Sequence, residues 1–153
     1  MKKLDIGATE LGLLAHMMRK IEFFTPLTVG QLETILPTIM LYAYDKGETV
    51  FSQGQKGDAF YIVYQGSVEI RLRQWLVLSK KIATLKAGDF LGEIALISDE
   101  PRTASVVAAE PTMLFTLIAD DFKFVLHENP AAAEEMRKIG ARRKFATSHE
   151  AAS

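Results

Sequence analysis

The spacing of apolar residues divides the chain into helical ends and a β-rich middle. Between Thr9 and Phe24 apolar side chains recur every three or four positions, which predicts an amphipathic helix with Thr9 as its N-cap. A second helical pattern runs from Val29 to about Met40, and Pro37 within it predicts a distortion or an early end. Residues 1–40 are therefore expected to form an N-terminal helical segment.

The middle of the chain, residues 41–119, consists of short β-branched and aromatic runs separated by glycines. This pattern predicts about seven or eight antiparallel strands joined by tight turns. The clearest predicted strands are 60–64, 68–73, 76–78 with a continuation to 85, 104–108 and 113–118. We expect these strands to close into a β-roll or jelly-roll barrel, so the predicted fold class is mainly β with flanking helices, an α+β arrangement.

A helical pattern returns at Asp120 and is expected to break at Asn129-Pro130. A last helix is predicted from Ala131 to about Phe145, followed by a frayed tail from Ala146 to Ser153. Residues 120–153 are therefore expected to form a C-terminal helical segment. We expect all three segments to make a single domain.

Composition and charge narrow the classes of function. The chain has 153 residues, 48% of them hydrophobic and 24% charged, which is typical of a globular domain. It has no cysteine, which excludes disulfides and thiolate chemistry, and its histidines are scattered, which disfavours a metal site or a catalytic histidine. With 18 basic and 19 acidic side chains the net charge is -1, and no apolar run is long enough to span a bilayer. We expect a cytoplasmic protein that binds neither DNA, RNA nor a membrane.

One segment, residues 88–106, interrupts the strand pattern. Gly92 permits the backbone to pass close to a ligand, because it carries no Cβ atom. The short apolar stretch from Glu93 to Ile97 is long enough for about one helical turn, whose first amides suit an anion. The segment is therefore a candidate anion site.

Arg102 and Glu93 suggest what kind of anion this site takes. Pro101 fixes the chain just before Arg102, whose planar guanidinium can donate two parallel hydrogen bonds to a phosphate. A carboxylate repels a phosphate, so the useful role of Glu93 is to accept from a hydroxyl. A ribose supplies such a hydroxyl beside its phosphate.

The segments Phe90-Leu91-Gly92-Glu93-Ile94-Ala95-Leu96 and Pro101-Arg102-Thr103-Ala104-Ser105-Val106 resemble the phosphate-binding cassette of cyclic nucleotide-binding domains. Such domains occur in cAMP-dependent kinase regulatory subunits, cyclic nucleotide-gated channels and bacterial catabolite activator proteins. The resemblance extends over roughly residues 23–130 and includes the turn and strand signature of Gly47-Glu48, Phe51, Gln53, Gly54, Asp58, Phe60-Tyr61-Ile62, Gly66 and Val68. Leu91 departs from the family pattern, which often has a second aromatic residue there.

The resemblance implies a cassette at residues 92–105 and a role for each of its residues. Arg102 would pair with the cyclic phosphate and Glu93 would accept from the ribose 2′-hydroxyl. The backbone amides of Ile94 and Ala95 would add phosphate contacts. The full implied ligand-binding set is Gly92, Glu93, Ile94, Ala95, Arg102, Thr103 and Ala104. The implied ligand is cAMP, with cGMP as the alternative because Thr103 is compatible with either base, and no cofactor or metal is implied.

The resemblance also implies that the C-terminal helices respond to the ligand. In the family, helices after the barrel move over the pocket, so residues 120–145 are expected to act as hinge and lid. Met136, Ile139 or Phe145 would then cover the purine. The predicted function is thus a sensor module that changes the conformation of its C-terminal helices and is not an enzyme.

Three alternatives compete with this interpretation. A cupin-like enzyme needs histidines on its strands, and the predicted strands contain none. A transcription regulator of the catabolite activator type needs a helix-turn-helix after the lid helix, which we do not expect before Ser153 and which would require this chain to be a fragment of a longer protein. A domain of the same fold that has lost its ligand and docks a protein partner through its terminal helices remains the alternative, although Glu93 and Arg102 are both present.

Overall fold

Helices lie at both ends of the chain and strands lie between them. The computed structural model describes the backbone of residues 1–74 and 78–152 and the side chains of residues 1–73 and 79–142. The helices are α1 (Ala8–Lys20), α2 (Val29–Ile35), α3 (Ala119–His127) and α4 (Pro130–Ala152), with 3₁₀-helices at Glu22–Phe24, Leu36–Thr38 and Glu93–Leu96. The strands within the described residues are β1 (Lys2–Leu4), β2 (Met40–Tyr44), β3 (Thr49–Phe51), β4 (Ala59–Gln65), β5 (Ser67–Gln74), β6 (Leu78–Lys86), β7 (Phe90–Leu91), β8 (Ser105–Ala108) and β9 (Thr112–Ile118).

The strands form two antiparallel sheets that pack face to face. The five-stranded sheet has the order β1-β2-β9-β4-β7, and the four-stranded sheet has the order β3-β8-β5-β6. One apolar cluster joins them, with Tyr44, Ala59, Tyr61, Val63, Leu91 and Leu114 from the first sheet and Val68, Val106 and Ala108 from the second. The predicted fold class, mainly β with flanking helices, is confirmed. Strand β1 was not predicted because three residues are too few to show a period, and predicted strand residues Leu76 and Val77 lie outside the described residues.

Strand β4 is buried on both of its faces. Phe60 and Ile62 face the helices, whereas Ala59, Tyr61 and Val63 face the four-stranded sheet. A strand that is covered on both sides has a continuous apolar sequence instead of an alternating one. Strand β4 is therefore the wall between the interior of the β-roll and the core that the helices form, which we call the helical core.

The N-terminal helices differ from their predicted bounds at the ends. Helix α1 has Gly7 as its N-cap, so the prediction that Thr9 caps it is wrong, and it ends at Lys20 because Ile21 is extended. Helix α2 begins with a capping box in which Thr28 and Gln31 exchange side-chain and backbone hydrogen bonds. It ends at Ile35 because Pro37 cannot continue the α-helical hydrogen bonds, which confirms the predicted early end.

The C-terminal helices meet at the predicted break. Helix α3 ends at His127 and α4 begins at Pro130, where the side chain of Asn129 accepts a hydrogen bond from the amide of Ala132 at 3.1 Å. The predicted end of the last helix near Phe145 is wrong, because α4 continues to Ala152 through a stretch that contains neither glycine nor proline. None of the described helices combines the length and apolar character needed to cross a bilayer.

Gly66 joins β4 to β5 and allows a stability test of the roll. Its φ is +89°, and a Cβ atom there would lie 2.5 Å from the carbonyl oxygen of Pro111 and 2.8 Å from the Cα of Thr112. We expect Gly66→Ala to lower the free energy of unfolding by about 3 kcal/mol, since it combines backbone strain with a clash against rigid main chain. Gly47 is the matched control, with a φ of +86° and open space around it.

Urea denaturation of both variants measures the difference. Gly47→Ala should cost only the strain, about 1 to 2 kcal/mol. Equal losses in the two variants would contradict the close approach of the Pro111-Thr112 backbone to Gly66.

Candidate functional site

The start of the cassette is shaped by a glycine in a left-handed conformation. Gly92 has a φ of +81° and is the N-cap of the 3₁₀-helix Glu93–Leu96, which we call the cassette helix. A Cβ atom on Gly92 would lie 2.8 Å from Nη1 of Arg102 and 3.0 Å from the carbonyl oxygen of Ala59. A glycine is therefore needed both for the turn and for the close approach of the arginine.

The backbone of Arg102 is held by the turn that precedes β4. Its amide donates to the carbonyl of Gln55 at 2.7 Å, and its carbonyl accepts from the amide of Gly54 at 2.8 Å. The preceding residue, Pro101, pairs with Lys56 in an isolated β-bridge. Main-chain hydrogen bonds thus tie residues 101–102, at the end of the cassette, to the 54–56 turn, and they fix the backbone from which the guanidinium extends.

The side chain of Arg102 is buried against two aromatic rings. It is only 8% exposed, and its Nη2 donates to the carbonyl oxygen of Ala59 at 2.6 Å. Its Cζ lies 4.0 Å from the ring centroid of Phe51 and 5.9 Å from that of Tyr61, and the two rings stack on each other. Its Nε is buried, and no described residue accepts a hydrogen bond from it. A buried N–H without an acceptor is costly, so this guanidinium has unused capacity for an anion.

The electrostatic surroundings of Arg102 follow from its burial. Burial lowers the pKa of the guanidinium from its usual value, whereas the nearby Tyr61, Asp58 and Glu93 act to raise it. Burial also raises the pKa of the Tyr61 hydroxyl, so this ring stays neutral beside the cation. An arginine remains charged in proteins, so the interior of the roll contains a fixed positive charge.

Glu93 and Ala95 are both buried residues of the cassette helix. Glu93 is the first residue of this helix and is 7% exposed, close enough to Arg102 to affect its pKa. The amide of Ala95 already donates to the carbonyl of Gly92 at 3.1 Å, so an anion would share that N–H. The methyl group of Ala95 faces Gly57, where an added Cβ atom would lie 3.1 Å away.

The structure brings Gly92 and Arg102 together and places the other predicted residues at different depths. Gly92 and Arg102 are in contact, Ile94 is half-buried, Ala104 is buried and Thr103 is exposed. Of the predicted lid residues, Met136 and Ile139 are buried in the helical core. The side chain of Phe145, the third candidate, lies outside the described residues.

Sequence reasoning missed the groups that hold the arginine. Phe51 and Tyr61 were used only as part of a turn and strand signature, and the carbonyl of Ala59 was not considered. The alternation along β4 contains a signal, because Ala59 and Tyr61 are two residues apart and so face the same side. The contact of Phe51 with Arg102 joins two distant parts of the chain, and no local pattern predicts it.

Comparison with known proteins gives a family assignment. The family model described as "Cyclic nucleotide-binding domain" matches residues 42–129, which is more than half of the chain. The matched region runs from β2 through the cassette to the end of α3.

Individual relatives agree with this match. The cGMP-dependent protein kinase of Eimeria tenella is 30% identical over 105 residues, which is 69% of this chain and 10% of the kinase. The cAMP-dependent protein kinase regulatory subunit of Mycosarcoma maydis is 29% identical over 109 residues, 71% of this chain and 21% of that protein. This chain therefore spans only about a tenth to a fifth of the length of these curated relatives.

A solved structure extends the agreement to three dimensions. The crystal structure of the catabolite activator protein of Thermus thermophilus superposes with a TM-score of 0.68 at 28% identity, and the match covers 84% of this chain and 60% of that one. Since the family model covers strands β3 to β9 and the whole cassette, the chain belongs to the cyclic nucleotide-binding domain family.

Proposed function

We propose that this chain is a non-catalytic sensor that binds a cyclic nucleotide monophosphate at the cassette. The observation that carries the proposal is the buried Arg102, whose Nε has no hydrogen-bond partner among the described residues and whose guanidinium borders the start of the cassette helix. A singly charged cyclic phosphate matches this arrangement, because its equatorial oxygens can accept two parallel N–H bonds from one guanidinium.

The rest of the cassette has a part in the same proposal. The first amides of the cassette helix, at Ile94 and Ala95, supply further donors to the phosphate. Gly92 lets the ligand and Arg102 approach the same stretch of backbone. Glu93 accepts from the ribose 2′-hydroxyl, since its carboxylate cannot approach a phosphate favourably. Thr103 and Ala104 complete the contacts at the mouth of the site.

The base is the least constrained part of the ligand. Relatives whose names specify cAMP and relatives whose names specify cGMP both match the chain. Thr103 is exposed next to Arg102, where its hydroxyl suits either base. We take cAMP as the ligand and cGMP as the alternative, and direct titration of both decides between them.

We further propose that ligand binding is transmitted to the C-terminal helices by their contacts with the cassette. A Cβ atom on Gly140 of α4 would lie 2.5 Å from Cδ1 of Ile97 and 3.6 Å from Cδ1 of Ile94, so the two elements are in close contact. Lys123 of α3 also pairs with Asp99 at 3.0 Å, just after the cassette helix. A ligand that binds one position of the cassette more tightly shifts the helices with it, by no more than that difference in affinity.

The first test is calorimetric titration of the chain and of Arg102→Ala with cAMP and cGMP. We expect the variant to bind about thirty-fold to several thousand-fold more weakly, because truncating a buried partner of a charge pair typically costs 2 to 5 kcal/mol. Arg137→Ala is the control, because this arginine is exposed on α4. The control variant should bind the nucleotide with the affinity of the unmodified chain. If the folded, unmodified chain binds neither nucleotide, the proposal is wrong and the ligand-free interaction domain replaces it.

The aromatic support of Arg102 is tested by Phe51→Leu. We expect affinity for the nucleotide to fall about two- to thirty-fold, since a cation–π contact contributes on the order of 0.5 to 2 kcal/mol. The same substitution in the Arg102→Ala background should have little further effect on affinity. Phe124→Leu is the control, because Phe124 is 72% exposed. An equal loss in both backgrounds would mean that Phe51 acts without the arginine.

The contact between α4 and the cassette is tested by Gly140→Ala. We expect hydrogen exchange in α4 and the cassette helix to accelerate, because the new methyl group pushes Ile97 away from the helix. Gly12→Ala is the matched control, since Gly12 is also helical but has open space around it, and there the substitution should stabilise the chain by up to about 1 kcal/mol.

The same exchange measurement, made with and without nucleotide, tests the proposed response of residues 120–145. We expect the nucleotide to increase protection from hydrogen exchange in the unmodified chain. The increase should be smaller in Gly140→Ala. Identical protection in both ligand states would contradict the response while leaving nucleotide binding itself untouched.

A further inference from the structure

Positive charge is segregated into one part of this nearly neutral chain. Residues 70–88 contain Arg71, Arg73, Lys80, Lys81 and Lys86 and no aspartate or glutamate. The remaining residues carry 13 basic and 19 acidic side chains, a net charge of -6, which explains how the whole chain reaches -1. The overall balance therefore conceals a strongly basic region.

The fold concentrates these charges at one border of the molecule. They belong to the hairpin of β5 and β6, and β6 is an edge strand of the four-stranded sheet. The register places Arg71 opposite Lys81 and Leu72 opposite Lys80. Directly opposite residues project to the same side of a sheet, so Arg71 and Lys81 lie together. Lys80, Lys81 and Lys86 are exposed to solvent.

Little within the protein neutralises this border. Arg71 forms an ion pair with Glu69 at 2.9 Å and also donates to the hydroxyl of Ser79. Among the described carboxylates, none lies within 4.0 Å of the charged groups of Arg73 or of the three lysines of the hairpin. Four of the five cations are therefore available to an external anion.

We propose that this border of the β5–β6 hairpin, which we call the basic edge, docks on a bilayer surface that contains anionic phospholipids. Clusters of about four to eight basic side chains, beside a membrane helix or on an amphipathic helix, bind such surfaces by charge attraction, and the five cations of the hairpin supply a comparable charge from the border of a sheet. A flat layer of headgroups can contact the basic edge without enclosing the rest of the chain, and among the described carboxylates only Glu69 is paired with a cation of this edge. A flexible polyanion that wraps around the protein would meet the acidic remainder, which is why we favour the bilayer over a nucleic acid.

The basic edge is separate from the proposed nucleotide site. Its residues are on β5 and β6, whereas the proposed site uses the cassette and the residues around Arg102. Loss of nucleotide binding, as in Arg102→Ala, should leave docking on the bilayer unchanged. The two proposals can therefore fail independently.

The test is co-sedimentation of the full chain with phosphatidylcholine vesicles, with and without phosphatidylserine, at low and at high salt. Lys80→Glu combined with Lys81→Glu is the test variant. Lys2→Glu combined with Lys3→Glu is the matched control, because these lysines are also adjacent, exposed and on an edge strand, but of the other sheet. Circular dichroism checks that both variants are folded.

We expect binding only to vesicles that contain phosphatidylserine, weakening as salt rises. The test variant should lose about tenfold or more in apparent affinity, while the control keeps most of it. The absence of binding, equal binding to neutral vesicles, or equal losses in the two variants would overturn the proposal. Tighter binding to duplex DNA than to these vesicles at the same salt would overturn it in favour of a nucleic-acid surface.

Discussion

The buried guanidinium of Arg102 is the charge around which the cassette and the roll are arranged. Burying a charge is expensive unless other groups compensate for its lost hydration. Here the carbonyl of Ala59 accepts one of its N–H groups and the ring of Phe51 covers its face. The glycine at position 92 makes room for it, and the 54–55 turn fixes its backbone. This compensation leaves Nε without an acceptor among the described residues, so a buried donor remains for the anion that we propose as the ligand.

Much of this arrangement is local in sequence and was predictable for that reason. The strands that carry the roll show their β-branched runs, and the turn at Gly92 lies within a few residues of the helix that it begins. The break at Asn129-Pro130 follows from the restriction that proline places on its neighbours. These features depend on side chains that are close together along the chain. At that range, the spacing of apolar residues and the residue preferences of turns predict the local structure.

Two kinds of feature were not predicted from the sequence. Some depend on contacts between segments that are distant along the chain, and others are hidden when charge is summed over the whole chain. The stacking of Phe51 on Arg102 requires β3 and the cassette to meet, and only the folded sheets bring them together. The cap of α1 is Gly7 and not Thr9, because the exact start of a helix depends on the chain that enters it. Net charge predicted no basic surface, since summing over the whole chain hides the concentration of Arg71, Arg73 and the hairpin lysines on one edge.

The position of β4 between two interiors has a consequence for how this sequence can diverge. The carbonyl of Ala59 holds Arg102, while its neighbour Phe60 packs edge-on against Phe24 in the helical core. A shift of this strand by a fraction of an ångström, made to accommodate a substitution on one side, also moves the groups on the other. Amino acid choices at Phe60 and Tyr61 are therefore not independent, and homologous sequences should change at these two positions in a correlated way although the side chains point in opposite directions.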